Sequence, residues 1–146
     1  MYNCTYISTE MSKQTYPFAE SNLPYDTFSY LPLIPVQIQS ENGILNENAL
    51  IDTGANCSFI QVKLAEALSS KITGSMSIGG LTGKTDIVAT NIILSCDPMD
   101  GNWCNLFVGI TPQYHPNFRI ILGRNFLENF KITYNGKNAQ LDIEHF

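Results

Sequence analysis

The chain has 146 residues, 44% hydrophobic and 14% charged, with a formal net charge of −5. That is one domain's length with enough apolar residues to bury a core, which excludes wholesale disorder. Its eight Lys and Arg are scattered rather than striped, so nucleic acid is not expected as a partner.

No apolar run approaches the roughly 20 residues of a membrane span. Met1 to Glu10 lacks the basic and apolar regions of a signal peptide, so the protein is expected inside the cell, neither secreted nor membrane-spanning. Cys4, Cys57, Cys96 and Cys104 match no zinc ribbon or CxxC spacing, and only His115 and His145 could assist as ligands. No metal or cofactor is expected, and the plain reading of the cysteines is reduced, packed thiols. Cys96 and Cys104 flank Asp97-Pro98-Met99-Asp100-Gly101, a turn that would also allow them to face each other across a hairpin.

Residues 1–30 are rich in Ser, Thr, Tyr and Pro with no sustained period, which reads as an N-terminal extension or linker, ordered only where it docks on the body. From Leu31 to Phe146 short apolar runs alternate with turn residues, and this is taken as the folded domain. Pro32–Gln39 alternates as a strand, with Val36 and Ile38 separated by polar Gln37 and Gln39. Glu41-Asn42-Gly43 turns the chain into a second strand, Ile44–Ile51, which runs into Asp52-Thr53-Gly54. Ser58–Ser70 has helical spacing in Val62, Leu64, Ala65 and Leu68.

Lys71–Ser95 forms two β-rich stretches around Gly79-Gly80-Leu81-Thr82-Gly83. Trp103–Ile110 and Arg119–Leu122 read as strands, and Gly123–Phe130 as one or two helical turns. Lys131–Tyr134 and Ala139–Ile143 flank Asn135-Gly136, a strong hairpin signal. Many short strands with one or two short helices predict an all-β, barrel-like domain.

Chemistry concentrates in Ala49-Leu50-Ile51-Asp52-Thr53-Gly54-Ala55, where a carboxyl ends an apolar strand. Apolar surroundings disfavour a carboxylate's charge, which makes an acid useful near neutral pH. Thr53 adds a stiff hydroxyl, and Gly54 admits backbone amides close to the carboxylate. The tripeptide alone is weak, since Asp-Thr/Ser-Gly arises in about one random chain of this length in fifteen. Ile121-Leu122-Gly123-Arg124-Asn125 is a strand entering a helix, an ordinary junction by itself. The loop Ile78–Gly83 lacks the spacing of a phosphate loop and fits a mobile hairpin better.

In this order the three segments together resemble the retropepsins, the aspartic proteases of retroviruses, retrotransposons and plant pararetroviruses. The likeness runs from about Leu31 to Phe130, through Asp52–Ala55, Ile78–Gly83 and Ile121–Asn125. It implies a retropepsin-like closed barrel with a glycine-rich flap hairpin and one short C-terminal helix, active as a C2 homodimer. Asp52 would be the catalytic aspartate. Thr53 would grip its symmetry mate, and Gly54 would carry backbone contacts to substrate. Ala55, Asn56, Ile78, Gly79, Gly80, Leu81 and Ile121 would bind an extended polypeptide, with Gly79 to Leu81 as the flap tip. The implied partners are a second copy and the chain's own polyprotein, in host cytoplasm or an assembling particle, and the aromatic-Pro pair Tyr16-Pro17 resembles a self-cleavage point.

The chain departs from the family pattern at Asn56, where an acidic residue often pairs with the Arg of the Gly-Arg segment, leaving Arg124 without that partner. The predicted hairpin after the helix is also longer than the family's shortest ending. Against the protease stand a catalytically silent dimerisation or peptide-binding module of the same fold, a cellular relative attached to ubiquitin-pathway domains, and a phosphoryl-transfer enzyme. The intact Asp52-Thr53-Gly54, the missing flanking domains and the missing nucleotide loop weigh against each in turn.

Overall fold

The computed structural model describes residues 13–21 and 30–146, so Cys4 and most of the N-terminal extension lie outside it. The elements, in chain order, are β1 (Lys13–Pro17), β2 (Ala19–Glu20), β3 (Tyr30–Leu31), β4 (Leu33–Ser40), β5 (Gly43–Ile51), β6 (Ser58–Gln61), α1 (Val62–Ala67), β7 (Gly74–Gly80), β8 (Gly83–Ser95), β9 (Cys104–Thr111), β10 (Ile120–Leu122), α2 (Arg124–Leu127), β11 (Phe130–Asn135) and β12 (Gln140–His145). The fold is mostly β with short helices. None of the helices among the described residues is long and apolar enough to cross a membrane.

Seven strands form the main sheet in the order β4-β5-β10-β6-β9-β8-β7, and β4 also pairs with β8 through Gln37↔Ser95 and Ile38↔Leu94. Alternation along β4 explains its place: Ile34, Val36 and Ile38 are buried while Pro35, Gln37 and Gln39 face out. Their inner faces meet Ala49, Ile60, Leu94, Val108, Ile120 and Leu122 in one core. Two parallel pairings, β5 with β10 and β6 with β9, sit at its centre, where β10 and β6 are short and largely buried.

In the segment after the Asp-Thr-Gly loop, the helical spacing holds for one part only. Ser58–Gln61 is a strand flanked on both sides by β9 and β10, and only Val62–Ala67 is helical. Ser58 and Ile60 are fully buried between neighbouring strands, and those backbone partners override the local helical pattern. The molecule thus has two short helices, α1 within the segment read as helical and α2 after Gly123, plus a 3-10 turn at Asp97–Met99.

A second sheet, β1-β12-β11, packs beside the first. All five residues of β1 pair with β12, from Lys13↔Glu144 to Pro17↔Gln140, and Tyr16 and Phe18 pack against the core. Part of the segment read as an extension is therefore a strand of the body. The β11–β12 connection is wider than the Asn-Gly signal predicts. Asn135 pairs with Gln140 across a four-residue loop, with Ala139 at φ +50° and the Asn138 N–H donating to Asn135 Oδ1 (3.1 Å). Once Asn135 caps the loop with its side chain, the left-handed residue falls at Ala139 rather than Gly136.

Cys57, Cys96 and Cys104 are free thiols. Cys104 pairs with Leu94, two residues before Cys96, so the two are offset in register rather than directly opposed. Burial pushes the Cys96 thiol up to about 12 and also raises Cys104, which disfavours the thiolate form in both.

Candidate active site

Asp52 follows the last residue of β5, where the parallel pairing with β10 ends at Ile51↔Leu122. Its N–H donates to the Leu122 carbonyl (3.0 Å). The chain then folds on itself, with the Gly54 N–H donating to Asp52 Oδ1 (2.9 Å) and the Ala55 N–H to the Asp52 carbonyl (3.2 Å). Carboxylate and turn therefore fix each other. A Cβ on Gly54 would come 3.2 Å from Asp52 Oδ1, so the bare backbone keeps this approach open.

The loop is lashed down a second time by the segment after β10. The Arg124 N–H donates to the Ala55 carbonyl (2.8 Å) and the Asn125 N–H to that of Asn56 (3.2 Å). Such closeness requires Gly123, whose Cβ would overlap the Cys57 carbonyl and stand 2.9 Å from that of Ala55. Beneath it runs a polar relay. The Gly123 N–H donates to Ser58 Oγ (3.0 Å), Ser58 Oγ donates to Asn125 Oδ1 (2.7 Å), and Asn125 Nδ2 donates to the Phe107 carbonyl (2.9 Å). Ser58 is fully buried, so every polar atom it meets must be paired, and these are.

Over the loop stands the β7–β8 hairpin. Gly80 pairs with Gly83 across a two-residue turn, Leu81-Thr82, and Gly83 takes φ +125°, open only to glycine at low cost. Leu81 at the tip is fully exposed. The Ser77 hydroxyl donates to Asp86 across the two strands. At its base the hairpin closes on β9 over Gly109, where a Cβ would meet Ile87 Cδ1 at 2.5 Å, Met76 Sδ at 2.9 Å and Phe59 Cδ1 at 3.0 Å. A glycine inside a strand often marks such close approach, and that signal was present in the sequence at Phe107-Val108-Gly109.

Between loop and hairpin lies a cleft of about 320 Å³, lined by Gly54, Ala55, Asn56 and Cys57 on one side and Ser77, Ile78 and Gly79 on the other. Five of the residues expected at the site thus share one cleft; Gly80 and Leu81 stand at the hairpin tip. Ile121 borders a smaller cavity of about 150 Å³ with Phe59, Tyr114 and Phe118. Its rim, residues 112–119, is held by Gln61, whose Nε2 donates to the Phe118 carbonyl (2.8 Å), and by His115 stacked on Phe118. Thr53 and Asn56 border a third hollow together with Arg124.

Sequence reasoning missed Ser58 and Gln61, since a buried polar side chain inside an apolar run declares its partners only after folding. It also missed Arg119, which holds Glu47 by two bonds, Nε to Oε2 at 3.1 Å and a second from its terminal nitrogen. That clamp ties the start of β10 to β5 and raises the Arg119 pKa further through the hydrogen bond to Glu47.

A strand-borne Asp-Thr-Gly loop, seated on a Gly-Arg segment and covered by a hairpin, is the arrangement of the aspartic proteases. The retroviral aspartyl protease family matches residues 29–135, and the chain belongs to that family. Comparison with curated proteins finds no match. Solved structures agree on the fold. The retropepsin-like aspartic protease from Rickettsia conorii is 15% identical over 99% of this chain and 98% of its own, with a TM-score of 0.61. EIAV protease, complexed with the inhibitor HBY-793, is 22% identical over 73% of this chain and 92% of its own, with a TM-score of 0.53. The aspartic proteinase from Irpex lacteus aligns with 92% of this chain over 47% of its own length, at 13% identity and a TM-score of 0.51.

Proposed function

We propose that this protein is an aspartic endopeptidase that works as a homodimer on extended polypeptide, its own polyprotein above all. The observation carrying this reading is the seating of Asp52 on a doubly anchored loop facing a flap-covered cleft. The chain contains a single Asp-Thr/Ser-Gly. Two carboxylates about 3 Å apart cannot both ionise, and one shared proton supplies both an acid and a base. A C2 dimer places two copies of Asp52 together.

The ionised Asp52 draws a proton from a bound water, which attacks the scissile carbonyl. The protonated Asp52 polarises that carbonyl and then helps protonate the leaving nitrogen. Thr53 meets its mate beneath the dyad. Gly54, Ala55 and Asn56 bind substrate backbone from below, and Ile78, Gly79, Gly80 and Leu81 from above, as strands add to a sheet. Ile121 borders a side-chain pocket. The pairing of β4 with both β5 and β8 supports a closed barrel as the rigid frame. The family match supports an origin in a reverse-transcribing element, with action inside the host cell. The domain proper is read as beginning near residue 31, with β1 as a docked strap. Because Tyr16 and Pro17 are both paired within β1, self-cleavage between them requires that strap to peel away first.

The test is cleavage of denatured casein from pH 3 to pH 8 by wild type and by Asp52→Ala, with and without a statine-type inhibitor. Activity lost in the variant and under the inhibitor supports the reading. A dimer silent throughout that range overturns it in favour of a peptide-binding module.

A further inference from the structure

The segment between β9 and β10, residues 112–119, carries Tyr114, His115 and Phe118 over the cavity of about 150 Å³ that Ile121 borders. It belongs to no strand or helix, so individual bonds hold it. Gln61, buried at the end of β6, donates from Nε2 to the carbonyls of Phe118 (2.8 Å) and His115 (3.4 Å), and its N–H donates to the carbonyl of Arg119 (2.9 Å). Arg119 is clamped to Glu47, and Asn117 Nδ2 donates to the Glu20 carbonyl (3.3 Å). The turn itself closes inside His115-Pro116-Asn117. Pro116 has no N–H to offer, and that of Asn117 donates to His115 Nδ1 (3.1 Å). The same ring lies stacked on Phe118, with centroids 4.2 Å apart and planes 16° from parallel.

We infer that His115 is a positioning residue for substrate, whose neutral imidazole latches the rim of the Ile121 pocket and whose protonation releases it. This rests on the protease reading above and deepens it by naming what sets the pocket's shape. An imidazole nitrogen accepts a hydrogen bond only while it carries no proton. Once protonated, His115 Nδ1 would point an N–H at the N–H of Asn117. The bond is then lost and the ring must turn, which also breaks its stack on Phe118. Since Phe118 is a wall of the cavity, the pocket changes shape with the ring. The charged and titratable groups that face the rim are Lys63 of α1, 5.9 Å over the Tyr114 ring, Tyr114 and Arg119 of the segment itself, Glu47 of β5 and Glu20 of β2. Carboxyls ordinarily titrate well below an imidazole, and phenol, ammonium and guanidinium groups well above it. An imidazole is thus the group on this rim whose charge changes in mild acid. The latch holds above that titration and is given up as pH falls through it.

The test compares wild type, His115→Asn and His115→Ala on denatured casein from pH 4.5 to pH 7.5, with KM and kcat measured separately. An Asn side chain accepts from the N–H two residues on, as His115 does, and has no proton to gain. The wild type's KM is expected to rise about fivefold as pH falls, the scale of one ordinary hydrogen bond. In His115→Asn the KM is shifted by the loss of the ring but stays level across the range, and in His115→Ala it is level and high. Titration of the Asp52 pair is common to all three proteins, so the ratio of their KM values isolates the imidazole. Exchange protection of the Asn117 amide reads the latch without catalysis: it should fall in acid in the wild type and hold in His115→Asn. A wild-type KM that stays level relative to His115→Asn, or an Asn117 amide whose protection ignores pH, would overturn the proposal. A protein that cleaves nothing at any pH overturns the protease reading, and the Asn117 amide then decides the latch alone.

Discussion

The carbonyl of Cys57 occupies the space that a Cβ on Gly123 would need. Through this contact the strand–helix junction after β10 presses against the loop that carries Asp52, and the backbone bonds from Arg124 and Asn125 depend on it. All three obstructing atoms, the Cys57 carbonyl carbon and oxygen and the Ala55 carbonyl oxygen, belong to backbone, so none can swing aside. Gly123→Ala is expected to cost about 3 kcal/mol, the upper end for overpacking a filled interior. Denaturant unfolding measures it, and cleavage activity should fall with it because the loop must shift.

Ser58 is the hinge of the polar relay under that contact. In Ser58→Ala the Gly123 N–H and Asn125 Oδ1 both lose a partner. Leaving buried groups unpaired costs about 1–3 kcal/mol, so a loss in that range is expected from chemical denaturation. Ser58→Thr retains the hydroxyl but adds a methyl at a fully buried position, and should lie between the two.

Gly109 sits under the base of the flap, and the atoms around it are the ends of flexible side chains. Gly109→Ala should therefore cost only about 1 kcal/mol in stability, since Ile87 and Met76 can rotate away. Their movement reseats the hairpin over the cleft. The expected signature is a raised KM with a small change in unfolding midpoint, and an unchanged KM would sink this account.

Acid should loosen the N-terminal strap. The Thr15 hydroxyl donates to Asp142 Oδ1 (2.7 Å) and Lys13 Nζ pairs with its other oxygen (2.9 Å), so the carboxyl is held below its ordinary value of 3.8. A depressed carboxyl stabilises the folded form above that value and ceases to do so as pH falls below it through the folded pKa. Hydrogen exchange over residues 13–17, compared between wild type and Asp142→Asn, should show faster opening in the variant at neutral pH. That difference should vanish in strong acid.

The sequence by itself determined the order of the chemical segments and most strand positions. Alternation in β4, the glycine-bounded hairpin at Gly80 and Gly83, and the apolar run ending at Asp52 are local patterns that any one strand or turn displays alone. Their family likeness marked Asp52 and the Gly123-Arg124 segment before any fold was known. Tertiary structure alone decided that Ser58–Gln61 is a strand, because its two partners come from residues 104–111 and 120–122. It likewise decided that Lys13–Pro17 pairs with the far C-terminal strand. The pairing of Ser58 with Asn125 and of Arg119 with Glu47 joins residues 67 and 72 positions apart. Local periodicity records which face of an element is apolar. It carries no information about which distant backbone or side chain will satisfy a buried donor, and that matching is settled only when the core closes.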